Sequence, residues 1–121
     1  MRNIESFREY CLSLPGVTES FPFDESTLVF KVINKLFALT GLNSPEFKVN
    51  LKCDPVKALE LRAEYPDVIP GYHMNKKHWN TVYFDGDLPD DLLVELVDHS
   101  YDLVVAKLTK SDKELLRSLN E

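Results

Sequence analysis

The sequence predicts an α+β fold, a two-layer sandwich in which an antiparallel sheet carries its helices on one face. Apolar residues recur at helical spacing near the start, in the middle and at the end of the chain, and strict alternation fills the stretches between. The connections between the predicted strands are too short for a series of parallel crossovers. At 121 residues, the chain is expected to form one domain, residues 1–121, with its own hydrophobic core.

Four helices are predicted from apolar periodicity bounded by capping residues and prolines. Asn3 caps the first helix, and Pro15 with Gly16 ends it. The last helix is predicted to begin at Ser111, which together with Glu114 has the spacing of a capping box. The predicted helices are residues 4–14, residues 55–65, a longest helix that opens at residues 89–91, and the short C-terminal helix.

The strands are predicted from alternation and from one tight turn. Phe21 and Phe23 around Pro22 suggest a short edge strand, and residues 66–78 have the composition of a loop. The other strands are predicted at residues 27–33, 36–39, 47–53 and 80–84.

A two-residue turn at Asn34 and Lys35 is expected to join two of these strands. It would place Val32 opposite Phe37, and Phe30 opposite Leu39. The residues predicted to face the helices are Phe30, Val32, Phe37, Leu39, Val49 and Leu51.

Composition excludes several classes of protein. The hydrophobic fraction of 44% and the charged fraction of 28% are ordinary for a globular domain, and no apolar run reaches the roughly 18 residues of a membrane span. No secretory signal is recognisable at the N-terminus, so we expect a cytoplasmic protein without membrane contact. Cys11 and Cys53 are far apart in sequence and are expected to be reduced thiols of the core.

No constellation of catalytic residues is present in the sequence. The serines and cysteines lack a glycine-rich elbow, and the four glycines form no phosphate-binding loop. His73, His78 and His99 lack the spacing and the cysteine partners of a zinc site. We therefore expect a binding protein with no catalytic residues, no metal and no cofactor.

Residues 71–83, Gly-Tyr-His-Met-Asn-Lys-Lys-His-Trp-Asn-Thr-Val-Tyr, combine two histidines, two lysines and the single tryptophan. We expect residues 71–79 to be ordered and Trp79 to be at least half buried. If Lys48 and Lys52 face outward on their strand, Lys31 and an aromatic from residues 79–83 share that face. Together with Lys76 and Lys77, these residues predict a basic aromatic surface suited to phosphate contacts and base stacking.

The stretch from His73 to Val82 resembles the signature of the MmcQ/YjbR family. Further blocks of the resemblance are Glu19 to Phe23 with residues 27–32, and residues 88–90 with residues 100–104, so that it spans nearly the whole chain. The resemblance implies a CyaY-like fold and a double-wing DNA-binding protein. It assigns the binding role to His73, Asn75, Lys76, Lys77, His78 and Trp79.

Three alternatives to DNA binding remain open from the sequence. The net charge of −6 argues against a protein that coats nucleic acid. In the first alternative, the lysines are only the solvated face of a half-exposed sheet. The apolar residues Val29, Ile33 and Leu36 on the same face favour a homodimer or a protein partner. A compact loop predicts a small-anion site instead, formed by His73, Asn75, Lys76 and His78.

Overall fold

The computed structural model describes residues 1–120 as one antiparallel sheet with four helices. The six strands lie in the order β1-β2-β3-β4-β6-β5, and every neighbouring pair is antiparallel. The elements in chain order are α1 (Ile4–Ser13), β1 (Val17–Ser20), β2 (Thr27–Val32), β3 (Lys35–Gly41), β4 (Lys48–Lys52), α2 (Pro55–Glu64), β5 (Val68–Pro70), β6 (Trp79–Tyr83), α3 (Asp90–Ala106) and α4 (Lys110–Leu119).

The hydrophobic core lies between one face of the sheet and the helices, which confirms the predicted α+β sandwich. Phe7 from α1 stands at its centre and makes edge-to-face contacts with Phe30, Phe47 and Phe84 at centroid distances of 5.4 to 5.7 Å. All four helices contribute buried side chains to this core. Its helical members are Phe7, Cys11, Ala58, Leu61, Leu93, Leu96, Val97, Val104 and Leu116.

The β2–β3 hairpin turns one residue earlier than the sequence predicts. Val32 pairs with Lys35, so the two turn residues are Ile33 and Asn34, with φ of 45° and 66°. Positive φ at both positions is the geometry of a type I′ turn, which suits Asn but is unusual for a β-branched residue. The Gly16 carbonyl accepts the Ile33 N–H at 3.3 Å, and this hydrogen bond anchors the residue with the unfavourable positive φ.

A β-bulge at Phe37 corrects the predicted cross-strand pairs. Phe30 lies opposite Ala38 rather than Leu39, and Lys31 lies opposite Leu36, which leaves Phe37 as the extra residue of β3. Phe37 and Ala38 both enter the core, and the alternation then restarts with Leu39 on the other face. Leu39 was therefore wrongly assigned to the helix side, whereas the other five predicted core residues lie there.

Three element boundaries also differ from the predictions. The edge strand is Val17–Ser20, and Phe21 and Phe23 follow it as exposed residues in an irregular segment. A three-residue strand, β5, lies within the predicted loop and pairs with β6. The last helix is capped by Thr109, whose side chain accepts the Asp112 N–H at 3.1 Å, so Ser111 is not its cap.

Ser100 of α3 connects β3 and β4 where their direct pairing ends. The two strands pair only at two positions, Ala38 with Leu51 and Leu39 with Asn50. Beyond them, the buried Ser100 hydroxyl donates to the Phe37 carbonyl at 2.5 Å and accepts the Lys52 N–H at 2.9 Å. One helix side chain thus satisfies two backbone groups that would otherwise lack partners in the interior.

Both cysteines are buried and form no disulfide. Burial raises the pKa of Cys11 to about 12 and that of Cys53 to about 11, which keeps both thiols protonated and unreactive. Within residues 1–120, no helix combines the length and the apolar character that crossing a membrane requires.

Candidate nucleic-acid interface

The outer face of the sheet, on the side without helices, carries the three lysines predicted from alternation. Pairing places Lys52 opposite Trp79, and Lys48 opposite Tyr83, while Lys31 lies on the corresponding side of β2. Among the described residues, no outward-facing strand position holds an aspartate or glutamate. The one acidic strand residue, Glu19, lies opposite Phe30 and pairs with Arg8 of α1 at 2.6 Å.

The apolar part of the outer face differs from the expected set. Val29 is fully buried and pairs with Leu39, and Leu36 is partly buried opposite Lys31. Ile33 does not lie on this face, because in the turn it packs against the main core beside Gly16.

Residues 71–78, here called the signature loop, form a hydrogen-bonded turn. The Asn75 carbonyl accepts the N–H groups of His78 and Trp79 at 3.1 and 2.9 Å, and its side chain accepts the Lys77 N–H at 3.0 Å. Asn75 thereby caps a single turn that presents Lys76 and Lys77 to solvent. Its side-chain oxygen stabilises the turn through the Lys77 N–H, which explains why a short polar residue occupies this position.

Arg62 of α2 fixes the signature loop to the body of the protein. Its Nε donates to the buried Asn80 side chain at 2.7 Å, and its Nη2 donates to the carbonyls of Lys76 and Trp79. This arginine was missed in the sequence because 14 to 18 residues separate it from its partners. No local pattern connects a helix cation with a distant loop carbonyl.

Gly71 allows the two ends of the loop to approach each other. Its N–H donates to the Trp79 carbonyl at 2.9 Å, and a Cβ at this position would lie 3.0 Å from the Trp79 Cβ. That separation is tighter than an ordinary van der Waals contact, so a side chain here would displace Trp79, and a glycine suits the point where the loop returns to β6.

Trp79 is 9% exposed, which confirms its expected burial and removes it as a stacking platform. The aromatic residue that the loop presents to solvent is Tyr72, which is 61% exposed. The Lys76 ammonium lies over the Tyr72 ring at 5.1 Å, and the Lys48 ammonium lies over the Tyr83 ring at 5.9 Å. Both distances are those of cation–π contacts, so the surface is basic and aromatic with Tyr72 and Tyr83 in the role expected of Trp79.

Lys52 belongs to a concentration of positive charge. Its pKa is lowered, first by partial burial and then by the charge of Lys107 at the end of α3. Lys107 therefore adds to the positive charge around Lys52. Lys107 was not predicted, since the fold alone brings the end of α3 close to β4.

A cavity of about 390 Å³ lies between the signature loop and the outer face. Tyr72, His73 and Met74 line it from the loop. Four neighbouring strands and β5 supply the remaining walls, among them Thr27, Leu39, Lys48, Asn50, Ile69 and Thr81. Of the four residues expected to hold a small anion, only His73 lines this cavity; Asn75, Lys76 and His78 lie outside it.

The histidines do not assemble a metal site. Within residues 1–120, no three His, Cys, Asp or Glu side chains are placed to hold a metal ion together. His73 is exposed, and the His78 carbonyl accepts the Cys53 N–H at 2.8 Å. His99 of α3 accepts the Asp54 N–H on its Nε2 at 3.1 Å, which links α3 to the start of α2.

The His99 contact predicts that stability falls on mild acidification. Burial and, secondarily, the Lys57 charge lower its pKa, while Asp54, Asp102 and Glu95 oppose the shift. The unfolded chain therefore binds this proton at a higher pH than the folded chain. The contribution of neutral His99 is fully present above the unfolded pKa of about 6.5 and is lost as the pH falls from there through the lower pKa of the folded chain.

Urea denaturation at pH 8 and pH 5.5 measures this effect. The parent is expected to lose more unfolding free energy over this interval than the His99→Gln variant, whose amide oxygen can accept without titrating. An equal pH dependence of the two proteins would contradict the role assigned to His99.

Comparison with known proteins identifies the family. The family model described as YjbR matches residues 12–103. The Escherichia coli K12 protein YjbR is 39% identical over 116 residues, covering 96% of this chain and 98% of its own, and YbdF of Escherichia coli O157:H7 is 41% identical over 114 residues, covering 93% of each.

A solved structure agrees with this assignment. The crystal structure of a Deinococcus radiodurans protein with a DUF419 domain superposes with a TM-score of 0.90 at 43% identity, covering 96% of this chain and 88% of that chain. Similarity thus extends over the signature loop, the sheet and the helices. The chain belongs to the YjbR family.

Proposed function

We propose that the outer face of the sheet, together with the signature loop, binds single-stranded DNA. The observation that carries this proposal is the separation of charge between the two layers. The outward-facing strand positions hold Lys31, Lys48 and Lys52 without a carboxylate, and the loop adds Lys76 and Lys77. A phosphate backbone is the common ligand of a surface that combines lysines in this number with exposed aromatics.

The acidic residues explain how a chain with a net charge of −6 can carry such a surface. Eleven of its 20 acidic residues lie on the helices, on the opposite side of the sheet from an anion bound at the outer face. Charges farther away than about 10 Å are largely screened at moderate salt. The acidic helix residues are Glu5 and Glu9 in α1, Glu60 and Glu64 in α2, Asp90, Asp91, Glu95, Asp98 and Asp102 in α3, and Asp112 and Glu114 in α4.

Single-stranded DNA fits this surface better than a duplex. The outer face carries no helix that could enter the major groove of a duplex. A sheet surface with exposed aromatic rings is suited instead to the unstacked bases of a single strand. Tyr72 is the exposed ring, and Lys76 above it is placed to contact the phosphate next to a stacked base. We therefore expect affinity to depend on both the charge and the aromatic ring.

A binding titration with charge variants tests the proposal. The Lys48→Ala/Lys52→Ala double variant is expected to weaken binding of single-stranded DNA of every sequence and to lower the salt slope by about 1.4, at about 0.7 for each lost phosphate contact. Fluorescence anisotropy of a labelled oligonucleotide at several salt concentrations measures both quantities.

A matched control is available on the helix layer. Lys110→Ala/Lys113→Ala removes the same charge from α4, away from the outer face, and is expected to leave affinity and slope near the parent values. If both double variants lost affinity equally, net charge alone would account for binding and the outer face would not be the site.

We propose further that this protein acts by binding and not by catalysis, and that it works in the cytoplasm. Supporting the first point, the polar side chains of the cavity form no pair of nucleophile and base. The proposed cytoplasmic location is supported by the two buried thiols, which form no disulfide, and agrees with the DNA ligand proposed above. A homodimer or protein partner on the same face would appear in the titrations as a complex whose size depends on protein concentration and not on DNA.

A further inference from the structure

We propose that the cavity beneath the signature loop is a pocket for one base of the bound strand. This inference rests on the proposed function and specifies how the same surface holds its ligand. The pocket lies within the basic surface, since Lys48 forms part of its wall. Such a pocket would add a binding site for a single nucleotide to a surface that otherwise attracts phosphate groups in general.

The volume and apolar lining of the cavity suit a base ring. Its volume of about 390 Å³ lies at the lower end of the range for small-ligand sites, about 300 to 1,000 Å³. Leu39 and Ile69 supply apolar surface from the sheet, and Met74 and Tyr72 supply it from the loop. A planar base can lie between such layers, and the thioether of Met74 packs well against aromatic rings.

The polar lining offers hydrogen-bond donors. Thr81 donates its hydroxyl to the Asn50 side-chain oxygen, which orients the amide. Within residues 1–120, the amide nitrogen of Asn50 then has no protein acceptor, and no carboxylate lines the cavity. Every base offers carbonyl or ring-nitrogen acceptors on its edge, so Asn50 can donate to any of them.

The register places charge at the edge of this pocket. Asn50 and Thr81 lie opposite each other in the middle of β4 and β6, and Lys48 and Tyr83 form the next outward-facing pair. A base seated against Asn50 would therefore leave its phosphate near the Lys48 ammonium. Cationic ligands are disfavoured, since the Lys48 side chain lines the site and no carboxylate does.

The two methionines provide a direct readout. Met74 lines the cavity and Met1 packs against the main core, so a protein with ¹³C-labelled methionine methyl groups carries one reporter and one internal reference. On titration with the four deoxynucleoside 5′-monophosphates, the Met74 signal is expected to shift saturably and the Met1 signal to stay in place. Deoxyribose 5-phosphate, which lacks a base, is expected to leave both signals unmoved.

An Asn50→Leu variant tests the donor while keeping the side chain's size. Nucleotide affinity is expected to fall about tenfold, as for the loss of one hydrogen bond to the ligand. Asn43→Leu, in the exposed connection between β3 and β4, is expected to retain the parent affinity. The titration of the unmodified protein remains decisive if the Asn50 variant does not fold.

Oligonucleotides separate this inference from the proposed function. If single-stranded DNA bound with the expected salt slope but neither it nor the nucleotides moved the Met74 signal, the pocket inference would be overturned and the proposed function would stand. If no oligonucleotide bound at all, both would fail.

Discussion

Replacing Phe30 by alanine is expected to lower the free energy of unfolding by about 3 to 5 kcal/mol. The ring is fully buried in the middle of β2 and makes an edge-to-face contact with Phe7 at 5.4 Å. Its removal loses both apolar burial and an aromatic pair, and leaves a cavity that the surrounding strands and α1 can fill only partly. Chemical denaturation measures the change.

Phe23→Ala is the matched control for this prediction. Phe23 is 69% exposed in the irregular segment before β2, so its removal is expected to change stability by about 0.5 kcal/mol or less. Denaturation midpoints that shifted equally for both variants would contradict the placement of Phe30 in the core.

Arg62→Ala is expected to be the second largest perturbation, because it detaches the signature loop. The variant leaves the buried Asn80 oxygen and the Lys76 carbonyl without this donor, and the Trp79 carbonyl keeps only the Gly71 N–H. An unsatisfied buried polar group costs about 1 to 3 kcal/mol, and we expect a loss of that size in unfolding free energy. Affinity for single-stranded DNA should fall as well, since Tyr72, Lys76 and Lys77 would no longer be held in place.

Two variants show whether the guanidinium geometry is responsible. Arg62→Lys keeps the charge but cannot reach three acceptors with one ammonium group, so it is expected to resemble Arg62→Ala. Arg117→Ala removes an exposed guanidinium from α4 and should behave like the parent. Backbone relaxation measures the order of residues 71–78. If these residues were equally ordered in the parent and in Arg62→Ala, Arg62 would not be what fixes the signature loop.

The helices were largely predictable because their ends are encoded locally. Asn3 accepts the Ser6 N–H at 2.9 Å, and Asp54 before Pro55 caps α2, as their positions in the sequence indicate. The bulge at Phe37 had no such local signal, because Leu36, Phe37, Ala38 and Leu39 form an unbroken apolar run. Tertiary packing decided which of them face the helices, and Leu39 became part of the candidate site instead of the core.

The candidate site was predictable only in its strand component. Alternation correctly placed Lys48 and Lys52 on one outward face, and the type of residue favoured a basic surface. The burial expected of Trp79 is confirmed, but alternation could not show that Tyr72 is the exposed ring of the loop, since the loop's return to β6 decides this. Arg62, Lys107 and the cavity depend on contacts between elements distant in sequence, for which a local pattern carries no information.

Amide chemical-shift mapping tests whether the outer face and the signature loop bind single-stranded DNA. On titration of the ¹⁵N-labelled protein with a single-stranded oligonucleotide, the largest shifts are expected in residues 71–78, in β4 and in β6. The exposed residues of α1 and α4 should remain unperturbed. Shifts concentrated on those helices, or no shifts at low salt, would show that the outer face and the signature loop are not the binding site.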